Sequence, residues 1–130
     1  MTTILSEQFS LVNSWINDLR NVEVQYDRMK FRRNMERIGE IAAFEISKTL
    51  EHKTVEITTS LDKITAQEIS VQPVITTILR AGVPLFQGLL NYFDKADCGF
   101  VAAYRKHDAN DYFSIKQDYL TCPDLNDRPL

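Results

Sequence analysis

The sequence is poor in the residues that build metal sites, disulfide frameworks and nucleotide-binding glycine loops. It has two cysteines, two histidines, four glycines and four prolines in 130 residues. Cys98 and Cys122 lie far apart with no Cys-x-x-Cys pattern, so we expect no zinc site and two reduced thiols. There is no Walker-type loop and no Gly-x-Gly-x-x-Gly pattern, which argues against a Rossmann-like nucleotide binder.

Long apolar runs and a strong excess of one charge are also missing. No run of 18 apolar residues occurs, and the N-terminus lacks the basic and apolar segments of a signal peptide. The net charge of -3 gives no basic footprint for nucleic acid or an anionic membrane. We therefore expect a cytoplasmic protein that binds neither, and any charge that holds a phosphate must be local.

The composition that is present describes one globular domain. Hydrophobic residues make up 44% and charged residues 25% of the chain, which suits a single domain over residues 1–130. We predict an N-terminal arm or short helix over 1–22, packed on the domain or on a partner subunit. The strongest helix pattern spans 24–51, with an apolar stripe at three- and four-residue spacing. That stripe consists of Phe31, Met35, Ile38, Ala42, Ile46 and Leu50.

The chain is centred on an apolar run that begins at Pro73 and ends at Arg80-Ala81-Gly82. Its β-branched residues do not alternate with polar ones, which predicts a strand of a parallel sheet covered on both faces. In doubly wound α/β domains, ligands bind at the carboxyl ends of such strands. An arginine at that position, beside a glycine that permits close backbone approach, favours an anion such as phosphate or pyrophosphate.

A second arginine follows the next predicted strand. A helix from Pro84 to Phe93 leads into a strand over 98–104, and Arg105 comes directly after it. Parallel strands joined by a helix would place Arg80 and Arg105 at one sheet edge, where two guanidinium groups could clamp a pyrophosphate. The alternative, which the residues alone favour, is that each arginine is exposed at a strand end and paired with a carboxylate.

The remaining segments carry weaker signals. Residues 53–58 alternate as a half-exposed strand, 60–70 are predicted to be a polar connection with a short helical turn, and 106–122 are predicted to be an exposed hairpin arm. The Arg32-Arg33 pair could touch a phosphate, but we favour a solvated face or a subunit contact. His52 and His107 form no nucleophile–base pair, although His107 follows Arg105 closely and could face a ligand.

Several motifs together resemble the uracil phosphoribosyltransferase family. They are Ile78-Leu-Arg-Ala-Gly82, the Gly-Leu-Leu of the next helix, Ala103-Tyr-Arg105, the helix from Tyr26-Asp-Arg-Met-Lys-Phe-Arg-Arg33 to Ala43-Phe-Glu45, and the closing Asp-Arg-Pro-Leu130. The resemblance extends from about residue 12 onward. It implies an α/β fold of phosphoribosyltransferase type, with a parallel sheet, flanking helices and a β-hairpin arm.

The resemblance also implies an activity. Family members convert uracil and phosphoribosyl pyrophosphate to UMP and pyrophosphate, a step of pyrimidine salvage that usually needs magnesium. It assigns phosphoribosyl pyrophosphate contacts to Arg80 and Arg105, with Ala81 and Gly82 forming the backbone turn at the pyrophosphate. It assigns no catalytic residue and no metal ligand to this chain.

The family's 5′-phosphate loop, with its Thr-Gly-Gly-Ser pattern, and its uracil-binding region both follow the Asp-Arg-Pro segment, and this sequence ends at Leu130. We therefore expect a truncated front half of the domain, inactive alone, that associates with itself as a dimer through the 112–120 arm. The alternative function is a non-catalytic binding or assembly protein that keeps the front half of the fold. The residues leave base specificity and regulation by a nucleotide open.

Overall fold

A mixed α/β domain is seen in the computed structural model, which describes residues 2–107 and 112–130. After a short 3₁₀ turn, the elements in chain order are α1 (Leu11–Arg20), α2 (Arg28–Ser47), β1 (His52–Thr58), β2 (Lys63–Ile69), β3 (Val74–Leu79), α3 (Val83–Leu90), β4 (Asp97–His107) and β5 (Phe113–Thr121). Strands β3 and β4 pair in parallel, β4 and β5 pair antiparallel, and β1 with β2 forms a separate antiparallel hairpin. The predicted fold class, including the hairpin arm, is confirmed.

Helix α1 packs on α2 near the N-terminus. Ser10 begins α1 by accepting a hydrogen bond from the backbone N–H of Val12, at 3.3 Å, and Val12 is buried. The guanidinium of Arg37 on α2 lies 5.6 Å from the Trp15 ring centroid, so the helices also meet through a cation–π contact. This places α1, the amphipathic part of the segment predicted over 1–22, against the domain.

Helices α2 and α3 cross closely because each has a glycine at the crossing. A Cβ on Gly39 would collide with the carbonyl oxygen of Leu85, and a Cβ on Gly88 would collide with that of Glu36. The buried positions of α2 are Asn34, Gly39 and Ala43. The predicted apolar stripe is therefore displaced from the packed face: Phe31 remains 38% exposed and Ile46 43% exposed.

The core lies between these helices and one face of the β3–β4 pair. Ala43, Ile75, Phe86 and Phe93 form a buried cluster. The rings of Phe86 on α3 and Phe100 on β4 are 5.2 Å apart and tilted by 54°, a favourable aromatic contact. The parallel pair is therefore fixed against α3, and the loop that joins β3 to α3 is held at its carboxyl edge.

The prediction for residues 60–70 was wrong, because most of this segment is strand β2. Val55 of β1 lies opposite Ala66, and Ile57 lies opposite Ile64, so the apolar residues share one face of the hairpin. Thr59 begins the turn, accepting from the N–H of Asp62 at 3.0 Å. Cross-strand pairing therefore outweighs the helical preference of the Ala66-Gln-Glu sequence.

The C-terminal segment returns to the start of β3. Arg128 donates to Asp97 at 2.6 Å and to the carbonyl oxygen of Gln72 at 3.2 Å. The N–H of Val74 donates to the carbonyl oxygen of Pro129 at 2.8 Å. Within the described ranges, no helix combines the length and apolar character needed to cross a membrane.

Candidate anion site

The loop after β3 turns directly into α3. Arg80, Ala81 and Gly82 form the turn, the peptide bond between Leu79 and Arg80 is cis, and Pro84 lies in the first turn of α3. The N–H of Val83 donates to the carbonyl oxygen of Arg80 at 3.2 Å, which closes the turn. Arg80 thus emerges at the carboxyl end of a parallel strand, as the sequence predicts.

Glycine is required at position 82 because a side chain would not fit there, and not because of the backbone angles. Its φ of -73° lies in the right-handed helical region that any residue adopts. A Cβ there would collide with the side-chain oxygen of buried Thr77 and lie 3.1 Å from the carbonyl oxygen of Ile78. The close backbone approach expected at Gly82 is therefore an approach to β3 itself. This contact brings the turn onto the end of that strand.

A cavity of about 610 Å³ opens beside this turn. Its walls come from the second turn of α2, the β3–α3 loop and the middle of β4. They consist of Phe31, Arg32, Leu79, Arg80, Ala81, Val83, Pro84, Ala103 and Tyr104. The two charged residues of this lining are both arginines, and no carboxylate is among these lining residues, so the cavity favours an anion with an apolar part.

Arg105 differs from the expectation that it ends its strand. Strand β4 continues to His107, and Arg105 pairs across from Ile115 of β5. Leu79, the last residue of β3, pairs with Ala102, so Arg105 lies three residues further along than the end of β3. The reason is that β5 supplies backbone hydrogen bonds to β4 after β3 has ended. Arg105 is exposed on the part of β4 that pairs with β5, and it does not line the cavity described above.

Arg32 differs from the expectation of a solvated face or a subunit contact. It lines the cavity with Arg80, whereas its neighbour Arg33 forms an ion pair with Glu36 at 2.9 Å on the same helix. Nothing in the sequence pattern distinguishes the two arginines. The packing of α2 against α3 decides which one reaches the cavity.

A third cation lies next to the cavity wall. Lys116, opposite Tyr104 in the β4–β5 register, is 3.1 Å from the Asp118 carboxylate, and its Nζ lies 5.8 Å from the Tyr104 ring centroid. Hydrogen bonds with Asp118 and then Tyr104 raise the pKa of Lys116 above its usual value. Lys116 therefore stays protonated near the site at neutral pH.

His52 does not join the site. The ring of His52 lies at the start of β1, with Nδ1 2.9 Å from the carbonyl oxygen of Leu50. The imidazole of His107 and residues 108–111, which belong to the expected polar loop, lie outside the described groups. Among the described residues there is no cluster of three or more His, Cys, Asp or Glu side chains that could hold a metal ion.

The fold and the cavity define a class of protein: an α/β domain of phosphoribosyltransferase type with an arginine-lined pocket at the carboxyl end of a parallel strand. The family model described as uracil phosphoribosyltransferase matches residues 6–121. The chain belongs to the uracil phosphoribosyltransferase family.

Curated relatives agree with this assignment. The uracil phosphoribosyltransferase of Porphyromonas gingivalis is 41% identical over 126 residues, which cover 97% of this chain and 58% of that protein. The uracil phosphoribosyltransferase of Methanococcus vannielii is 36% identical over 112 residues, covering 83% of this chain and 46% of that protein. The chain thus spans about half the length of the curated relatives it matches.

A solved structure matches the fold. The AQ2163 protein from Aquifex aeolicus superposes with a TM-score of 0.78, covering 96% of this chain and 57% of that one, at 23% identity. This likeness concerns the path of the backbone over nearly the whole of the present chain.

Proposed function

We propose that this chain forms the pyrophosphate-binding part of a uracil phosphoribosyltransferase. The observation that carries the proposal is Arg80, held at the carboxyl end of β3 in a cavity whose charged lining residues are arginines. In the proposed reaction, N1 of uracil forms a bond to C1 of the ribose and loses its proton. The bond from C1 to the pyrophosphate oxygen breaks, and UMP and pyrophosphate are the products.

The chain's own contribution to that step is electrostatic. Negative charge grows on the pyrophosphate as the bond to C1 breaks, and a fixed guanidinium stabilises it more than it stabilises the intact substrate. Arg80 is positioned for this because the turn that carries it is closed by the Val83–Arg80 backbone bond and packed against Thr77 through Gly82. We assign Ala81 and Gly82 to the backbone at the pyrophosphate, and Arg105 to a contact made from the arm.

Magnesium, which the family resemblance implies, does not fit the described cavity as a protein-held ion. The described cavity lining has no carboxylate, and magnesium prefers oxygen ligands with a carboxylate or phosphate among them. We therefore assign no residue of this chain as a magnesium ligand. No step attributed above to Arg80 or Arg105 depends on the ion.

We also propose that residues 1–130 alone do not turn over uracil. The matched region covers only 58% of the Porphyromonas gingivalis relative and 46% of the Methanococcus vannielii relative, and the resemblance assigns the 5′-phosphate loop and the uracil site to the remainder. The purified chain, mixed with uracil and phosphoribosyl pyrophosphate, is expected to release no UMP. Measurable, enzyme-dependent UMP formation would overturn this proposal.

Binding tests the half-site directly. Titration calorimetry with phosphoribosyl pyrophosphate should give binding that Arg80→Ala abolishes. The control is Arg20→Ala, which removes an arginine from the end of α1, outside the cavity lining. Binding that survives Arg80→Ala unchanged would contradict the assignment of the anion site.

The second candidate function is a non-catalytic binding or assembly protein. The observation that favours it is an apolar row on the face of the sheet opposite α3: Ile78, Val101 and Leu120 lie side by side across three strands. Ile78 is 61% exposed and Leu120 58% exposed, so this row is available to another polypeptide. A stable oligomer without affinity for phosphoribosyl pyrophosphate would favour this candidate.

A further inference from the structure

The charge of the cavity comes from two places that are distant in sequence. Arg80 belongs to the β3–α3 turn, and Arg32 belongs to the second turn of α2. Both line the same cavity of about 610 Å³, and its other described lining residues are uncharged. In a chain of net charge -3, this is a local concentration of positive charge without a carboxylate in the same lining.

The position of Arg32 is fixed by rigid elements. Asp27 caps α2 by accepting a hydrogen bond from the N–H of Lys30 at 2.9 Å, which anchors the first turn just before Arg32. Two turns later, Gly39 and Gly88 hold α2 against α3, the helix that Arg80 precedes. Because both arginines are attached to this packed helix pair, the cavity is preorganised on two of its sides.

Arg32 and Arg33 are adjacent but have different surroundings. Arg33 is turned along α2 and contacts Glu36 at 2.9 Å, and its hydrogen bond is the largest cause of the lowered pKa of Glu36. Arg32 instead lines the cavity. The two residues therefore provide a matched pair, with equal charge and helix propensity but different locations.

We propose that Arg32 is a second guanidinium contact of the pyrophosphate group, acting from α2 in the cavity that Arg80 also lines. This inference rests on the function proposed above and adds a residue to the anion site. Two planar guanidinium groups can donate to separate oxygens of a pyrophosphate and so hold it in one orientation more firmly than a single arginine can. Helix α2 thereby has a binding role in addition to its packing role.

The test is calorimetric titration of the complete 130-residue chain with phosphoribosyl pyrophosphate and with inorganic pyrophosphate. Arg32→Ala should raise the dissociation constant for both by about tenfold or more, the effect expected for a lost charge-assisted hydrogen bond. Arg32→Lys should recover only part of the affinity, because an ammonium lacks the planar pair of donors. Arg33→Ala should leave the affinity within about twofold, since its partner is Glu36.

The outcomes separate this inference from the function on which it rests. If Arg80→Ala abolishes binding and Arg32→Ala leaves it unchanged, Arg32 is not a contact and the anion site stands. If Arg33→Ala weakens binding as much as Arg32→Ala, a general loss of positive charge explains both and the inference fails. If the unaltered chain binds neither ligand, both the inference and the proposed half-site are overturned. Circular dichroism of each variant checks that the helices remain formed.

Discussion

The two faces of the β3–β4 pair are packed very differently. On one face Ile75 is 7% exposed and lies with Phe86 in the buried cluster. On the other face Ile78, three residues further along the same strand, is 61% exposed. The β3 sequence is apolar on both sides, as in parallel sheets covered by helices on both faces. The difference shows that the described elements leave the second side of β3 open at Ile78, although Val74, on that same side at the start of the strand, is buried.

The largest expected difference between the faces is in stability. Phe86→Ala, on the covered face, should lower the free energy of unfolding by about 3–5 kcal/mol, because it leaves a cavity beside Phe100. Ile78→Ala, on the open face, should lower it by about 1 kcal/mol or less. Urea denaturation followed by circular dichroism measures both. Phe86→Leu provides a milder variant if the alanine variant does not fold, and equal losses at the two positions would contradict the comparison.

The helix crossing on the covered face should be nearly as sensitive. Gly88→Ala introduces a Cβ that collides with the carbonyl oxygen of Glu36 and lies 2.9 Å from the N–H nitrogen of Glu40. Separating the helices should cost about 1–3 kcal/mol of unfolding free energy. Gln87→Ala, at the exposed neighbouring position on α3, is the control and should change it by about 0.5 kcal/mol. A neutral or stabilising Gly88→Ala would show that the crossing is not tight.

The open face should instead govern association. Leu120→Lys, on the arm, should change the unfolding free energy by about 0.5 kcal/mol, since this side chain is 58% exposed. If the chain dimerises through the 112–120 arm, as expected from the sequence, the same substitution should shift sedimentation velocity profiles toward the monomer. Lys116→Ala on the same strand is the matched control. Monomeric behaviour of the unaltered chain at high concentration would argue against the dimer.

The smallest effect should come from pH. Hydrogen bonds from Arg33 and then Asn91 lower the pKa of Glu36 below its usual value of 4.5. A carboxyl group whose pKa is lower in the folded state stabilises the fold above its unfolded pKa, and this contribution disappears as the pH falls from 4.5 through the folded value. Urea midpoints of the unaltered chain and Glu36→Gln should therefore differ at pH 6 and converge as the pH falls below 4.5. A constant difference would exclude this linkage.

Much of the fold followed from local patterns. Strand β3 was predicted from its apolar, β-branched residues, and helix α3 was predicted from Pro84, which lies in its first turn. The strand before Arg105 was also predicted from the sequence. The predicted edge position held for Arg80 because β3 has no partner beyond Leu79 in the described sheet. It was wrong for Arg105, because antiparallel pairing with β5 extends β4 through that residue. Strand ends depend on pairing partners, which periodicity does not reveal.

The sequence by itself determined the class of protein, through the family resemblance of the run from Ile78 to Gly82, the Tyr104-Arg105 pair and the long helix. These motifs are short stretches of the chain, so their resemblance is recognised without coordinates. The tertiary structure decided that residues 63–69 form a strand and that Arg32 rather than Arg33 reaches the cavity beside Arg80. The physical reason is that pairing and helix crossing are long-range contacts, set by the glycines at the α2–α3 crossing and by the hydrogen bonds between strands.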